Sequence, residues 1–239
     1  MIAREHSRII AIIPARGGSK GIPKKNIIDF CGKPLIAWSI LHAQGSQYVD
    51  EVFVSTDDEA IARVSREYGA QVIIRPDELA TDTATSESAL LHAIDSAGGC
   101  ELAVFLQATS PVRTSDDIDK AYIALVEDKA DSLFSGSLLE DFYIWNKRGE
   151  LLKSLNFDYL HRKRRQDHEK EFGLQYVENG SFYMFRPDDL KKSGNRLNGR
   201  ITVGLMELWK SFEIDSLEGL DFCRMIFQNK ILNQQKSNI

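Results

Sequence analysis

The sequence predicts an α/β fold: a doubly wound, mostly parallel sheet with helices on both faces. Three observations lead there. Short apolar runs of strand length, such as Ile9–Ile13, show no polar alternation, as expected of strands covered on both faces. Those runs alternate with segments of helical spacing through the first half of the chain. Up to Arg113, the residue groups able to do chemistry stand at or just past the carboxyl ends of the runs, where such sheets bind ligands.

Taken in order, Ile9–Ile13 is the first strand and stops at Pro14 in a glycine-rich, basic loop. Pro34 suits the first turn of a helix over LIAWSILHA, which is apolar nearly all round and therefore buried. Glu51–Ser55 is a second strand, followed by Asp57 or Asp58 as a helix cap. Ala60–Tyr68 reads as a helix stopped by Gly69, and Gln71–Ile74 as a third strand. Ala89, Leu90, Ala93 and Ile94 set a helical period over Ser86–Ala97. Leu102–Leu106 is a fourth strand and Asp116–Asp128 an amphipathic helix. From Leu139 the rhythm breaks: Phe142–Trp145 is a short strand, Gly149 a hairpin turn, and His161–Glu171 (HRKRRQDHEKE) is almost wholly charged. A last helix begins near Leu217.

The 239 residues can bury a full core as one domain, and a 43% hydrophobic content is that of a globular chain. The net charge of −5 disfavours a general nucleic-acid or membrane-surface binder. Cys31, Cys100 and Cys223 are odd in number and lack metal-ligand spacing, as reduced cytoplasmic thiols would. The N-terminal apolar run is too short for a signal peptide or membrane span.

Arg16, Lys20, Lys24 and Lys25 on a turn containing Gly17, Gly18 and Gly21 have the chemistry that holds a polyphosphate. Glycines let backbone N–H groups approach phosphate oxygens, and the cations balance their charge. GxxxxGK[ST] and GxGxxG are both absent. Gly17–Gly21 does match the GxSxG hydrolase elbow, although Ile22–Pro23 follows where a helix should. A solvated basic turn without a ligand is the other alternative.

PARGGSKGIPKKN resembles the nucleotide loop of the CMP-sugar-acid synthetases, in particular the N-acylneuraminate cytidylyltransferases. The resemblance continues, in the family's order, through RPDELATDTATS (Arg75–Ser86), LQATSPVR (Leu106–Arg113), RRQD with YVENGSFY, and EIDS (Glu213–Ser216). It implies a single Rossmann-like nucleotidyltransferase domain over residues 1–239, with a dimerisation arm at about 140–178. It also implies a cytoplasmic homodimer with shared active sites, whose arm reaches over the partner's site. The implied reaction is attack of a nine-carbon keto sugar acid's anomeric hydroxyl on the α-phosphorus of CTP, with release of pyrophosphate.

Matched position by position, the resemblance assigns Arg16, Ser19 and Lys20 to the triphosphate, and Lys25 and Asn26 to the α-phosphate and cytosine. Arg75, Ala84 and Ser86 match cytosine contacts, although Thr85–Ser86 also reads as a helix cap. Gln107, Thr109, Ser110, the arm's Arg165 and Tyr183 match the sugar-acid side. Tyr183 reads equally well as a core aromatic. Arg16, Lys25 and Asp215 are the implied catalytic set. Asp215 matches a Mg²⁺ ligand, with Glu213 where the family has a second aspartate. On a strand the two carboxylates would face one side, whereas a cap for the last helix is the other reading of Asp215.

HRKRRQDHEKE is also compatible with a solvated segment, and RKRR with a nucleic-acid patch. Val177 stands where some bacterial sialic acid enzymes carry a second arginine, and no lysine lies between Phe142 and Asn146. This opens the choice among N-acylneuraminate, legionaminate, pseudaminate and ketodeoxynonulosonate. A CMP-Kdo synthetase acting on an eight-carbon acid, or a non-catalytic nucleotide-binding module on the same fold, are the alternative functions.

Overall fold

The computed structural model describes residues 8–18, 21–139 and 142–233. The first half alternates as expected: β1 (Ile9–Pro14), a small hairpin of β2 (Asp29–Phe30) and β3 (Lys33–Pro34), α1 (Leu35–Gln44), β4 (Glu51–Thr56), α2 (Glu59–Glu67), β5 (Gln71–Ile74), α3 (Ser86–Ser96), β6 (Leu102–Leu106) and α4 (Ser115–Glu127). Then come β7 (Ser132–Leu138), β8 (Trp145–Arg148), β9 (Leu151–Ser154), α5 (Arg165–Phe172), β10 (Tyr176–Phe185), α6 (Pro187–Ser193), β11 (Ile201–Leu205) and α7 (Leu217–Phe227). Asp58 is the cap of α2, accepting from the Ile61 amide at 2.9 Å. Pro34 lies just outside α1 rather than in its first turn.

Seven strands form one sheet in the order β11-β7-β10-β6-β1-β4-β5. β10 alone runs antiparallel to both neighbours; the other pairings are parallel. The chain steps from β1 outward through β4 to β5 and then returns to β6 on the other side of β1. That reversal opens a crevice at the carboxyl ends of β1 and β6. β1 is apolar throughout because both of its faces are covered. Ile9, Ala11 and Ile13 pack into one core, and Ile10 and Ile12 into another. A third cluster joins Ile22, Phe30, Trp38, Val112, Ile214 and Phe227, fastening α7 beneath the basic loop.

The segment after β7 leaves the sheet. β8 and β9 form a separate hairpin turned at Gly149, whose φ of 63° lies in the left-handed region. The strand expected at Phe142–Trp145 begins only at Trp145. The Asn156 side chain accepts from the Ile144 amide and donates to the Phe142 carbonyl, taking the groups a partner strand would use. Tyr143, Trp145, Phe157 and Tyr159 cluster on this hairpin, and Arg162 stacks 4.0 Å from the Tyr143 ring centre. Arg164 pairs with Asp167 and Lys163 with Glu171, so these two cations of the basic run are paired within the segment. Leu151, Leu152 and Leu160 meanwhile stand 78%, 62% and 70% exposed. No helix among the described residues is long and apolar enough to cross a membrane.

Candidate active site

The basic loop leaves β1 at Pro14 and is tied down on both sides. The Gly17 amide donates to Asp57 at 3.0 Å, and the buried Asn26 side chain donates to the Arg16 carbonyl at 3.1 Å. Gly21 passes so close to the EIDS segment that a Cβ there would lie 2.6 Å from the Asp215 carbonyl oxygen. Lys25 closes the same contact: its Nζ donates to the Ile214 carbonyl at 2.8 Å and to Asp215 at 3.0 Å. Arg16 reaches across to Asp82 at 2.7 Å. Ser19 and Lys20 lie outside the described residues.

A cleft of about 480 Å³ opens beside this loop at the crevice between β1 and β6. Arg16, Lys25, Asn26 and Asp215 form one side; Arg75, Ala84, Ser86 and Asp82 form another. Arg75 is buried and spends two donors on Ser55, on its hydroxyl at 3.2 Å and its carbonyl at 2.6 Å. Burial lowers its pKa from the ordinary guanidinium value. Thr85 is the cap of α3, accepting from the Ser88 amide, which leaves Ser86 as the first helical residue at the cleft wall.

A second cleft of about 480 Å³ adjoins the first, lined by Glu178, Asn179, Gly180, Tyr183, Ser211 and Glu213. Gln107, Thr109 and Asp215 line both. Here β10 changes register between Glu178 and Tyr183, and Gly180 turns with φ of 66°. A side chain at Gly180 would press on Gln107, since its Cβ would lie 3.1 Å from Nε2. Tyr183 donates to Glu178 at 2.5 Å, and burial first, then Glu178, push its hydroxyl up to about 12.

EIDS is irregular backbone rather than a strand. Its two carboxylates reach the clefts because Ile214 between them is fully buried and its amide donates to the Thr109 carbonyl at 2.8 Å. The cap of α7 is Ser216, so Asp215 is free of that role. Burial, then the neighbouring Asp215, raise the Glu213 carboxyl above its usual range, against the pull of Lys25. Among the described residues no cluster of three His, Cys, Asp or Glu groups could hold a metal. A pair of hard oxygen donors still suits Mg²⁺, which keeps several waters and takes phosphate oxygens.

The structure brings together Arg16, Lys25, Asn26, Arg75, Ala84, Ser86, Gln107, Thr109, Tyr183, Glu213 and Asp215 at the two clefts. Ser110 lies under the loop, 1% exposed, with no hydrogen-bond partner for its hydroxyl among the described residues. Arg165 opens α5, outside the central sheet. Sequence reasoning left Glu178, Asp82 and Arg113 without roles. Arg113 is fully buried, and its guanidinium donates to the carbonyls of Gln107, Ser110 and Ser181 and to the Ser39 hydroxyl. The one sequence signal was a cation closing an otherwise uncharged LQATSPV run.

A family model described as cytidylyltransferase matches residues 10–238. A pseudaminic acid cytidylyltransferase of Campylobacter jejuni is 33% identical over 229 residues, covering 92% of this chain and 96% of the relative. An N-acylneuraminate cytidylyltransferase of Oncorhynchus mykiss is 36% identical over 185 residues, covering 76% of this chain and 42% of the relative. A CMP:2-keto-3-deoxy-manno-octonic acid synthetase solved with CTP superposes with a TM-score of 0.68 at 18% identity, covering 94% of this chain and all of that one, a likeness of fold.

Proposed function

The chain belongs to the cytidylyltransferase family, and from that premise we propose that it moves CMP from CTP to the anomeric hydroxyl of a nine-carbon keto sugar acid, an N-acylneuraminate or related nonulosonate, with release of pyrophosphate. The observation that supports this reading is the pair of adjoining clefts with Gln107, Thr109 and Asp215 common to both. A nucleotide in the first and an acceptor in the second would meet at that shared wall. Holding the two reactants so, together with cations aimed at the phosphates, is most of what a phosphoryl-transfer site contributes.

In this reading Arg16 and Lys25, with Ser19 and Lys20, hold the triphosphate, and Lys25 favours the charge that builds on the α-phosphate oxygens. Asn26 keeps the loop closed through the Arg16 carbonyl. Arg75, Ala84 and Ser86 border the cytosine. Gln107, Thr109 and Tyr183 receive the acceptor, and Arg165 offers its carboxylate a bidentate partner. Asp215, with Glu213 beside it, would hold Mg²⁺, which when bound neutralises phosphate charge. The exposed leucines of the 142–176 segment form the kind of surface that a second copy covers, in keeping with a homodimer whose arm serves the neighbouring site.

The test is pyrophosphate release from CTP with a panel of eight- and nine-carbon keto acids, including N-acetylneuraminate, pseudaminate and Kdo. Turnover with a nine-carbon acid is the expected result. Turnover with Kdo alone would move the assignment to the eight-carbon class, and none with any acid would overturn the transfer reading.

A further inference from the structure

Arg196 touches neither cleft, yet it is bound to both walls. It belongs to the turn between α6 and β11, where Gly194 caps α6 and the Asn195 side chain and carbonyl hold the Leu197 and Asn198 that follow. From there its guanidinium lies 4.3 Å from the ring centre of Tyr183 and 5.4 Å from that of Phe105. Those two rings are themselves stacked, 5.5 Å apart and 17° from parallel. Its other end pairs with Glu87 in the first turn of α3 at 2.5 Å, both side chains being about four-fifths buried.

The partners divide between the two substrates. Phe105 and Ser86, the neighbour of Glu87, line the nucleotide cleft; Tyr183 and Glu178 line the adjoining one. The Tyr183 ring is 3% exposed, stacked on one aromatic and covered by a guanidinium; its hydroxyl donates to Glu178 and also faces Arg196, which thus bears on both the ring and its hydroxyl. Glu178 is the last residue that β10 pairs with β7, opposite Gly136, before the register shifts; the ladder fixes its backbone, and Tyr183 restrains its carboxylate.

We propose that Arg196 is a positioning residue for the acceptor: it holds Tyr183 against Phe105, so that the tyrosine hydroxyl fixes the Glu178 carboxylate at the cleft wall, where it takes hydrogen bonds from hydroxyls of a polyhydroxy acid. This rests on the CMP-transfer reading for the identity of the second cleft. The role needs a flat cation, since a guanidinium stacks on a ring and forks to a carboxylate at once, whereas an ammonium does only part of this.

The experiment is a double-mutant cycle on Arg196→Met and Tyr183→Phe, with Arg196→Lys beside it and melting curves to establish folding. Arg196→Met should raise the acceptor KM about tenfold and change the KM for CTP less than about twofold. In the Tyr183→Phe background, where no hydroxyl is left to aim, the same change should cost less than about threefold. Arg196→Lys should fall between wild type and Arg196→Met, and carries the comparison if the methionine variant does not fold. Equal loss on both substrates, or an undiminished effect in the phenylalanine background, would overturn the positioning role. A wild type inert with every acid in the panel would overturn the transfer reading and the acceptor role with it.

Discussion

Lys25 and Arg16 are both cations of the basic loop, but their surroundings differ. Lys25 is 13% exposed and also fastens the Ile214 carbonyl and Asp215, whereas Arg16 is about one-third exposed and paired with Asp82 at the surface. A charge-assisted hydrogen bond is worth about 1.5–3 kcal/mol, and an exposed ion pair about 0–1 kcal/mol. Lys25→Ala should therefore lower kcat/KM by about a hundredfold and Arg16→Ala by about fivefold or less, measured as initial rates of pyrophosphate release. A larger loss at Arg16 would mean that the triphosphate leans on the rim of the cleft rather than on its floor. The carboxylates separate in the same way. Asp215 borders both clefts, while Glu213 borders one and its carboxyl is raised by burial and by Asp215. Asp215→Asn should raise the Mg²⁺ concentration for half-maximal rate far more than Glu213→Gln does. The opposite order would make Glu213 the principal ligand.

Elements differ in how plainly they could be read. β1, β4 and β6 were legible because strands covered on both faces need unbroken apolar runs, and Ile10 and Ile12 as well as Ile9 and Ile13 are buried. β7, SLFSGSL, carries no such run. Ser132, Ser135 and Ser137 are fully buried and each hydroxyl has a partner: Ser135 donates to Asn179 and accepts from the Phe182 amide in the irregular part of β10, Ser132 donates to the Asn198 carbonyl, and Ser137 meets Ser211. The loop after β1 was visible as chemistry. The meeting of Tyr183 with Glu178 was not, since it depends on a change of register that composition does not signal. α1 carries a pH dependence of its own. His42, buried and facing the positive charges of Arg113 and Lys210, has its pKa lowered from 6.5 to about 3, and its Nδ1 has no partner among the described residues. Between those values the unfolded chain takes up a proton that the folded protein refuses. The stability this represents is full above pH 6.5 and is lost as pH falls toward 3. At about pH 5 the loss is about 2 kcal/mol. His42→Gln should accordingly lose less melting temperature than wild type between about pH 7 and about pH 5. Parallel curves would show that His42 takes its proton while folded.

At the scale of the whole molecule, the segment from Phe142 to Tyr176 has aromatic contacts of its own yet leaves its leucines in water, as the proposed dimerisation arm would require. If that arm brings Arg165 to the neighbouring site, Arg165→Ala should raise the acceptor KM while leaving CTP binding nearly unchanged. Mixing Arg165→Ala with Lys25→Ala protein should then restore activity, because one site of each mixed dimer has both an intact loop and an intact arm. No recovery after subunit exchange, followed by mass spectrometry of the dimers, would confine the arm to its own chain. The wall formed by Gln107, Thr109 and Asp215 has a further consequence, for the end of the cycle rather than its start. A nucleotide covalently joined to a sugar acid would span both clefts at once, losing only the grip on the two phosphates that leave as pyrophosphate and keeping the contacts to the nucleoside, the α-phosphate and the acid. It must let go as a unit, so its departure, and not bond making, should set the turnover rate, and the accumulated conjugate should inhibit competitively against CTP.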